Sequence, residues 1–175
     1  SLYEGVNVGA SGITGLVTYI RTDSVRISDE ALSSLRTYIG ERFGSEYLPE
    51  KPIEYKGRKN AQDAHEAIRP SMPDLSPDKV KGDLTNDQYK LYKLIWDRFL
   101  ASQMKNAEFD TMNADIACGE YIFKASEYSV KFKGYLLVYE DADTLEDSEK
   151  LAKVCELAEG QELLLDSVNG EKNFT

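Results

Sequence analysis

Cysteine and histidine are scarce in this chain of 175 residues: Cys118, Cys155 and a single histidine, His65. The two cysteines have neither the number nor the spacing of a zinc site or a disulfide framework, so both read as reduced core or surface residues. No apolar run is long enough to span a bilayer, and no signal peptide opens the sequence. The glycines Gly5, Gly9, Gly12 and Gly15 come without a Walker lysine and without dinucleotide-binding spacing. They read as a loop that lets neighbouring segments approach closely.

Positive charge is also short. A formal net charge of −10 argues, at first sight, against contact with nucleic acid. The deficit is confined to one end. Residues 1–105 carry 15 Lys+Arg against 15 Asp+Glu, and residues 106–175 carry 6 against 16. The first part can therefore present a basic face, whereas the second is a poor bed for a phosphate backbone. Asp141-Ala-Asp143 has the Asp-x-Asp form that opens many magnesium sites. Flanked by Glu140, Glu146 and Asp147, it reads as a solvated charge run.

Against these absences stands Gly15-Leu-Val-Thr-Tyr-Ile-Arg-Thr-Asp-Ser24. Leu16 to Ile20 are apolar, β-branched or aromatic, which predicts a strand. Alternation along a strand puts Val17, Tyr19 and Arg21 on one face and Thr18, Ile20 and Thr22 on the other. A phenol then lies beside a guanidinium. Tyrosine hydroxyls titrate near ~10 and attack poorly at neutral pH. An arginine neighbour favours the phenolate and can hold a phosphate oxygen with two parallel donors. Those are the needs of a tyrosine that attacks a phosphodiester.

The rest of the chain divides by its periodicity. Ser1–Glu4 resemble the end of a helix. Ser28 is an N-cap followed by Asp29 and Glu30, with Leu32, Leu35, Ile39 and Phe43 at helical spacing and Gly44 as the stop. Residues 45–61 read as loop, with Lys56, Arg58 and Lys59 as a basic cluster. Pro70, Pro73 and Pro77 exclude regular structure to about residue 84. Thr85 and Gln88 form a capping box for the strongest helix, whose apolar face is Tyr92, Ile95, Trp96, Phe99 and Leu100. Trp96 reads as a core anchor. Period-two alternation follows: Met112, Ala114, Ile116 and Cys118; a turn at Gly119-Glu120; Tyr121–Ser126; Tyr128, Val130 and Phe132; and Tyr135–Tyr139 after Gly134. Residues 140–160 read as loop or short helix, and Glu162–Val168 as a last strand. The fold class is α+β, a mainly helical unit before an antiparallel β unit, with the border near residue 105.

Three strings carry a likeness. Tyr19-Ile-Arg-Thr-Asp-Ser24 resembles the active-site signature of type IA DNA topoisomerases, usually met with Met where Ile20 stands. Leu2-Tyr-Glu-Gly5 lies upstream at that family's usual distance. Gln62-Asp-Ala-His-Glu-Ala-Ile-Arg-Pro70 resembles its His-Glu-Ala-Ile-Arg-Pro box. The likeness is to the bacterial members and runs, more weakly, to the C-terminal end.

The resemblance implies a central piece of a longer cytoplasmic enzyme. Residues 1–104 would be a nucleophile-bearing, winged-helix-like domain, and residues 105–175 part of the β arch that gates DNA. Tyr19 would take the 5′-phosphate and free a 3′-hydroxyl, with Arg21 as its catalytic partner. Arg21, Thr22, Asp23, Ser24, His65 and Arg69 would touch single-stranded DNA. Mg²⁺ would be bound by a Toprim domain outside this chain, and this chain would bind none. Its partners would be DNA and the Toprim and remaining arch domains of the same polypeptide, with no membrane. The piece alone is expected to be inactive. Two rival readings fit the same sequence: a noncatalytic winged-helix module that only binds nucleic acid, and a structural or interaction domain that binds none.

Overall fold

The computed structural model describes residues 1–9, 12–56, 65–139, 157–167 and 169–170. Its elements in chain order are β1 (Val6–Asn7), β2 (Ile13–Thr14), α1 (Asp29–Phe43), α2 (Pro77–Val80), α3 (Asn86–Ala101), β3 (Glu108–Cys118) and β4 (Tyr121–Phe132). The architecture is mixed α+β, with β1 paired to β2 and β3 paired to β4, both antiparallel. No helix among the described residues is long and apolar enough to cross a membrane.

The two long helices form where local chemistry dictates. The Ser28 hydroxyl accepts from Ala31 N at 3.4 Å, satisfying a free amide of the first turn of α1. The helix stops at Gly44, whose φ is 106°. At α3 the capping box is closed in both directions: Gln88 N donates to Thr85 Oγ1 and Thr85 N donates to Gln88 Oε1. The apolar faces of the two helices meet. Leu35, Ile39 and Tyr92 are fully buried, and Leu100 and Met104 nearly so. Burying each such side chain contributes about 1.5–3 kcal/mol. Trp96 is an anchor of this core, edge-on to Tyr38 at 5.5 Å. The Tyr92 phenol donates to Leu75 O at 2.6 Å, and burial pushes its pKa upward. This contact fastens the proline-rich segment to α3.

That segment is not wholly irregular. Pro77 opens the short helix α2 and a 3₁₀ turn at Lys81–Asp83 follows. Proline at a first helical turn lacks only an amide that would be free anyway, and its φ is already helical. The loop after α1 is also ordered. The side chain of Gln103, wholly buried, donates to Ile53 O at 2.9 Å and accepts from Ile53 N at 3.0 Å. One amide side chain thus imitates a strand partner. At the chain start, residues 2–4 form a turn, closed by Gly5 N donating to Ser1 O at 3.0 Å.

In the β half, β3 and β4 make one long hairpin, and β4 runs unbroken from Tyr121 to Phe132. Cys118 pairs with Tyr121 across Gly119-Glu120. Gly119 has a φ of 61°, as the glycine-first class of hairpin turns requires. A two-stranded ribbon is marginal alone. This one is tied at its base by the Tyr47 and Phe132 rings, 4.9 Å apart, and by Lys105 N donating to Tyr47 O at 2.8 Å.

Two expected strands do not form. Gly134–Leu137 is a 3₁₀ turn rather than part of a strand, with Leu136 buried. Residues 162–167 pair with nothing among the described residues, and Leu164 is almost fully exposed. Apolar composition favours an extended chain, but a strand also needs a partner edge. Cys118 is exposed. The Asp141-Ala-Asp143 run, Arg58, Lys59 and Cys155 lie outside the described residues.

Candidate functional site

The three strings singled out by the sequence, the third over residues 65–70, are neighbours in space. Leu16 N and Val17 N both donate to Leu2 O, at 2.7 and 3.4 Å. On the other side, Thr18 N donates to Arg69 O and Ser71 N donates to Leu16 O, each at 2.9 Å. Residues 16–18 are thus the middle of three extended segments. The ladder is short. Only Val17 and Pro70 form a bridge, so the predicted strand over residues 16–20 reduces to an isolated pairing. Its partner is a proline-containing stretch that offers few amides.

Thr18 locks the layer further. Its hydroxyl donates to Ala67 O at 2.8 Å and accepts from Arg69 N at 3.0 Å. Arg69 is turned inward: Nε and Nη2 donate to Glu66 Oε2 at 2.9 and 2.5 Å, and Nη1 donates to Pro70 O at 2.9 Å. The pair is mostly buried, with side chains 12% exposed for Arg69 and 21% for Glu66. Burial raises the Glu66 pKa, but hydrogen bonds from Arg69 and Ser28 and the charges of Arg69 and Arg26 outweigh it. The carboxyl therefore lies below its ordinary value of 4.5.

A depressed acid pKa gives stability that is present above the unfolded value and is lost as pH falls through the folded one. Glu66→Gln should therefore cost about 1–2 kcal/mol at neutral pH. The gap between variant and wild type should close below pH 4.5. Thermal melting across pH measures this. A gap that stays constant down to acid pH would show that the carboxylate charge plays no part.

Tyr19 sits at the surface of this layer, 40% exposed. Its ring lies 5.5 Å from Tyr3, edge-on, and 5.4 Å from His65, tilted. His65 is half-buried. The tyrosine segment and the histidine box therefore meet at Tyr19. Tyr3 joins them without having been singled out by itself; its only signal was membership of Leu2-Tyr-Glu-Gly5. Thr18 and Glu66 were missed for a related reason, since each acts through contacts that chain order does not display.

The alternation expected beyond Tyr19 ends early. The chain bends at Ile20 and Arg21, so Arg21 does not share a strand face with Tyr19. Arg21 is exposed, and its guanidinium makes no hydrogen bond or ion pair among the described residues. Asp23 is exposed as well. Thr22 Oγ1 accepts from Ser24 N at 3.0 Å and Ser24 Oγ accepts from Arg26 N at 3.2 Å. These two hydroxyl turns shape the loop into α1. Ala67 N donates to Arg26 O at 2.8 Å, tying that loop to the box.

The arrangement offers one exposed phenol held between two rings and one uncommitted guanidinium two residues on. Among the described residues no group of three or more His, Cys, Asp or Glu is placed to hold a metal ion.

A family model described as DNA topoisomerase matches residues 1–175. The fold is similar to that of full-length topoisomerase I from Thermotoga maritima in a monoclinic crystal form. That match has a TM-score of 0.69 and 36% identity, and it covers 87% of this chain. It covers 24% of the other chain, so the residues here correspond to about a quarter of that protein's length.

Proposed function

The chain belongs to the DNA topoisomerase family, and from that premise we propose that it carries the nucleophile of a type IA enzyme. The observation that carries this reading is the exposed Tyr19 phenol between the Tyr3 and His65 rings, with the free Arg21 two residues on. The Tyr19 oxygen attacks a phosphodiester of single-stranded DNA, the phosphate moves to the phenol as a 5′-phosphotyrosine, and a 3′-hydroxyl leaves. One phosphodiester replaces another, so religation needs no ATP, and strand passage before religation relaxes negative supercoils.

Arg21 binds the scissile phosphate through its forked donors. His65, beside the attacking ring, contacts the same strand, and the loop at Thr22–Ser24 lines its path. Arg69 acts from behind, holding the box against residues 16–18 through Glu66 and Thr18. The family implies magnesium, but the donors among the described residues do not fit a metal site. The metal and the remaining gate belong to other domains of the same polypeptide.

The direct test is to quench the full-length enzyme with denaturant during cleavage of a labelled oligonucleotide and to map the label by proteolysis. The label should fall on the peptide containing Tyr19, attached to the 5′ end of the cleaved strand. Attachment to another residue, or to a 3′ end, rules the reading out.

Arg21 yields a second expectation. Removing one preorganised, charge-assisted donor pair costs on the order of 10²–10³ in rate. Arg21→Ala should slow cleavage by that factor, and Arg21→Lys should restore it only in part, because lysine cannot fork. Wild-type cleavage by Arg21→Ala in a single-turnover assay would assign the phosphate to another group.

A further inference from the structure

We infer that Tyr3 is a positioning residue for the Tyr19 phenol, and that Gly15 exists to let it reach that place. The inference rests on the reading of Tyr19 as nucleophile and adds to it a residue that sets the ring's orientation.

Three observations carry it. First, the Tyr3 ring meets Tyr19 edge-on with centroids 5.5 Å apart and an interplanar angle of 62°. Edge-to-face packing is directional, because the positive rim of one ring meets the negative face of the other. It restrains rotation of the ring as well as its position. Second, the Tyr3 backbone is docked to the segment it serves, since Leu2 O accepts from both Leu16 N and Val17 N. Third, the approach is closer than any side chain allows. A Cβ at Gly15 would lie 2.6 Å from Tyr3 O, which is backbone and cannot swing away. Gly15 has no positive φ to explain it, so close approach is its reason.

Tyr3 itself is 45% exposed, and its ring is not part of the buried core. A half-exposed aromatic fixed at such cost in backbone freedom is not explained by stability. What it does is hold a second aromatic. The only bridge of this segment among the described residues, Val17 with Pro70, ends two residues before Tyr19, and the chain bends immediately after it. Without the Tyr3 ring the phenol would be bounded by the tilted His65 ring alone, free to turn away from it, and its oxygen would leave the line of attack. The Tyr3 hydroxyl has no part in this; the ring does.

The experiment uses the full-length enzyme with Tyr3→Phe, Tyr3→Leu and Gly15→Ala. Each is measured for binding of a single-stranded oligonucleotide and for the single-turnover rate of adduct formation at saturating oligonucleotide. Misplacing a reacting atom lowers the rate of the step and leaves ground-state affinity alone, so Tyr3→Leu should slow adduct formation about 10-fold or more with binding within about twofold. Tyr3→Phe keeps the ring and should cleave within about twofold of wild type. Gly15→Ala moves the Tyr3 backbone without changing its ring, so it supplies an independent reading and should slow adduct formation in the same direction.

Wild-type rates in Tyr3→Leu or in Gly15→Ala overturn the inference. So does a Tyr3→Phe variant as slow as Tyr3→Leu, which would point to the hydroxyl. If wild type forms an adduct that persists in Tyr19→Phe, the reading of Tyr19 fails instead. An adduct that needs Tyr19 but ignores Tyr3 removes only the positioning role.

Discussion

Tyr19→Phe should abolish the covalent protein–DNA adduct while leaving single-strand binding within a few-fold. The substitution removes one oxygen and keeps the ring. The edge-on contact with Tyr3 and the tilted contact with His65 are ring contacts and should survive. The residue is 40% exposed, so the folded state loses little, within about 0.5 kcal/mol as for most surface changes. Chemistry loses its nucleophile outright. Phenylalanine has no lone pair to offer, and removal of a covalent nucleophile commonly costs on the order of 10⁴-fold or more. The measurement is trapping of cleaved, labelled DNA under denaturing conditions, with anisotropy for binding and a melt for folding. A phenylalanine variant that still traps cleaved strands would place the nucleophile elsewhere. One that folds but cannot bind DNA would make Tyr19 a contact residue.

The long helices were legible because their causes are local. Ser28, Gly44, Thr85 and Gln88 act within four residues of the backbone groups they satisfy, and the apolar stripes show directly in the spacing. The extended elements were less legible because their causes are remote. Residues 16–18 find their partners at residues 2 and 69–71, and whether a ladder or a single bridge results depends on both. Tyr135–Tyr139 has the composition of a strand yet follows a glycine at φ 50°, which turns the chain back onto Lys105. Residues 162–167 are exposed throughout and pair with no strand among the described residues.

The candidate site divides along the same line. Tyr19, Arg21 and His65 were visible because their side chains are chemically distinctive and sit in recognisable strings. The inward turn of Arg69 was not visible, because an arginine in a motif reads equally as ligand contact or as clamp. Its bonds to Glu66 and Pro70 are contacts that chain order does not display. The face shared by Tyr19 and Arg21 was inferred from strand alternation, and it fails where the chain bends at Ile20. Arg21 must then reach a phosphate by the length of its side chain.

The isolated chain should not relax a negatively supercoiled plasmid in buffer containing Mg²⁺, under conditions where the full-length enzyme does. The reason lies at the leaving group. In-line displacement puts the departing 3′-oxygen on the side of phosphorus opposite the attacking phenol. An alkoxide leaves poorly unless a general acid or a cation meets it, and such help is commonly worth ~10²–10⁴-fold. The groups described here cluster on the attacking side. His65 and Tyr3 flank the Tyr19 ring itself. Glu66, the carboxyl in the same layer, is held ionised by Arg69 and Ser28 and so has no proton to give. Arg21, exposed two residues beyond Tyr19, is on the proposed reading occupied by the scissile phosphate rather than by the leaving oxygen. Strand passage also needs a gate, and this chain matches 24% of the length of the topoisomerase it resembles. Weak binding of single-stranded DNA is compatible with all of this and should fade with added salt, as phosphate contacts release their counterions. Relaxation by the purified chain, lost in its Tyr19→Phe version, would mean that these residues contain their own general acid and that the division of labour drawn between this segment and the rest of the enzyme is wrong.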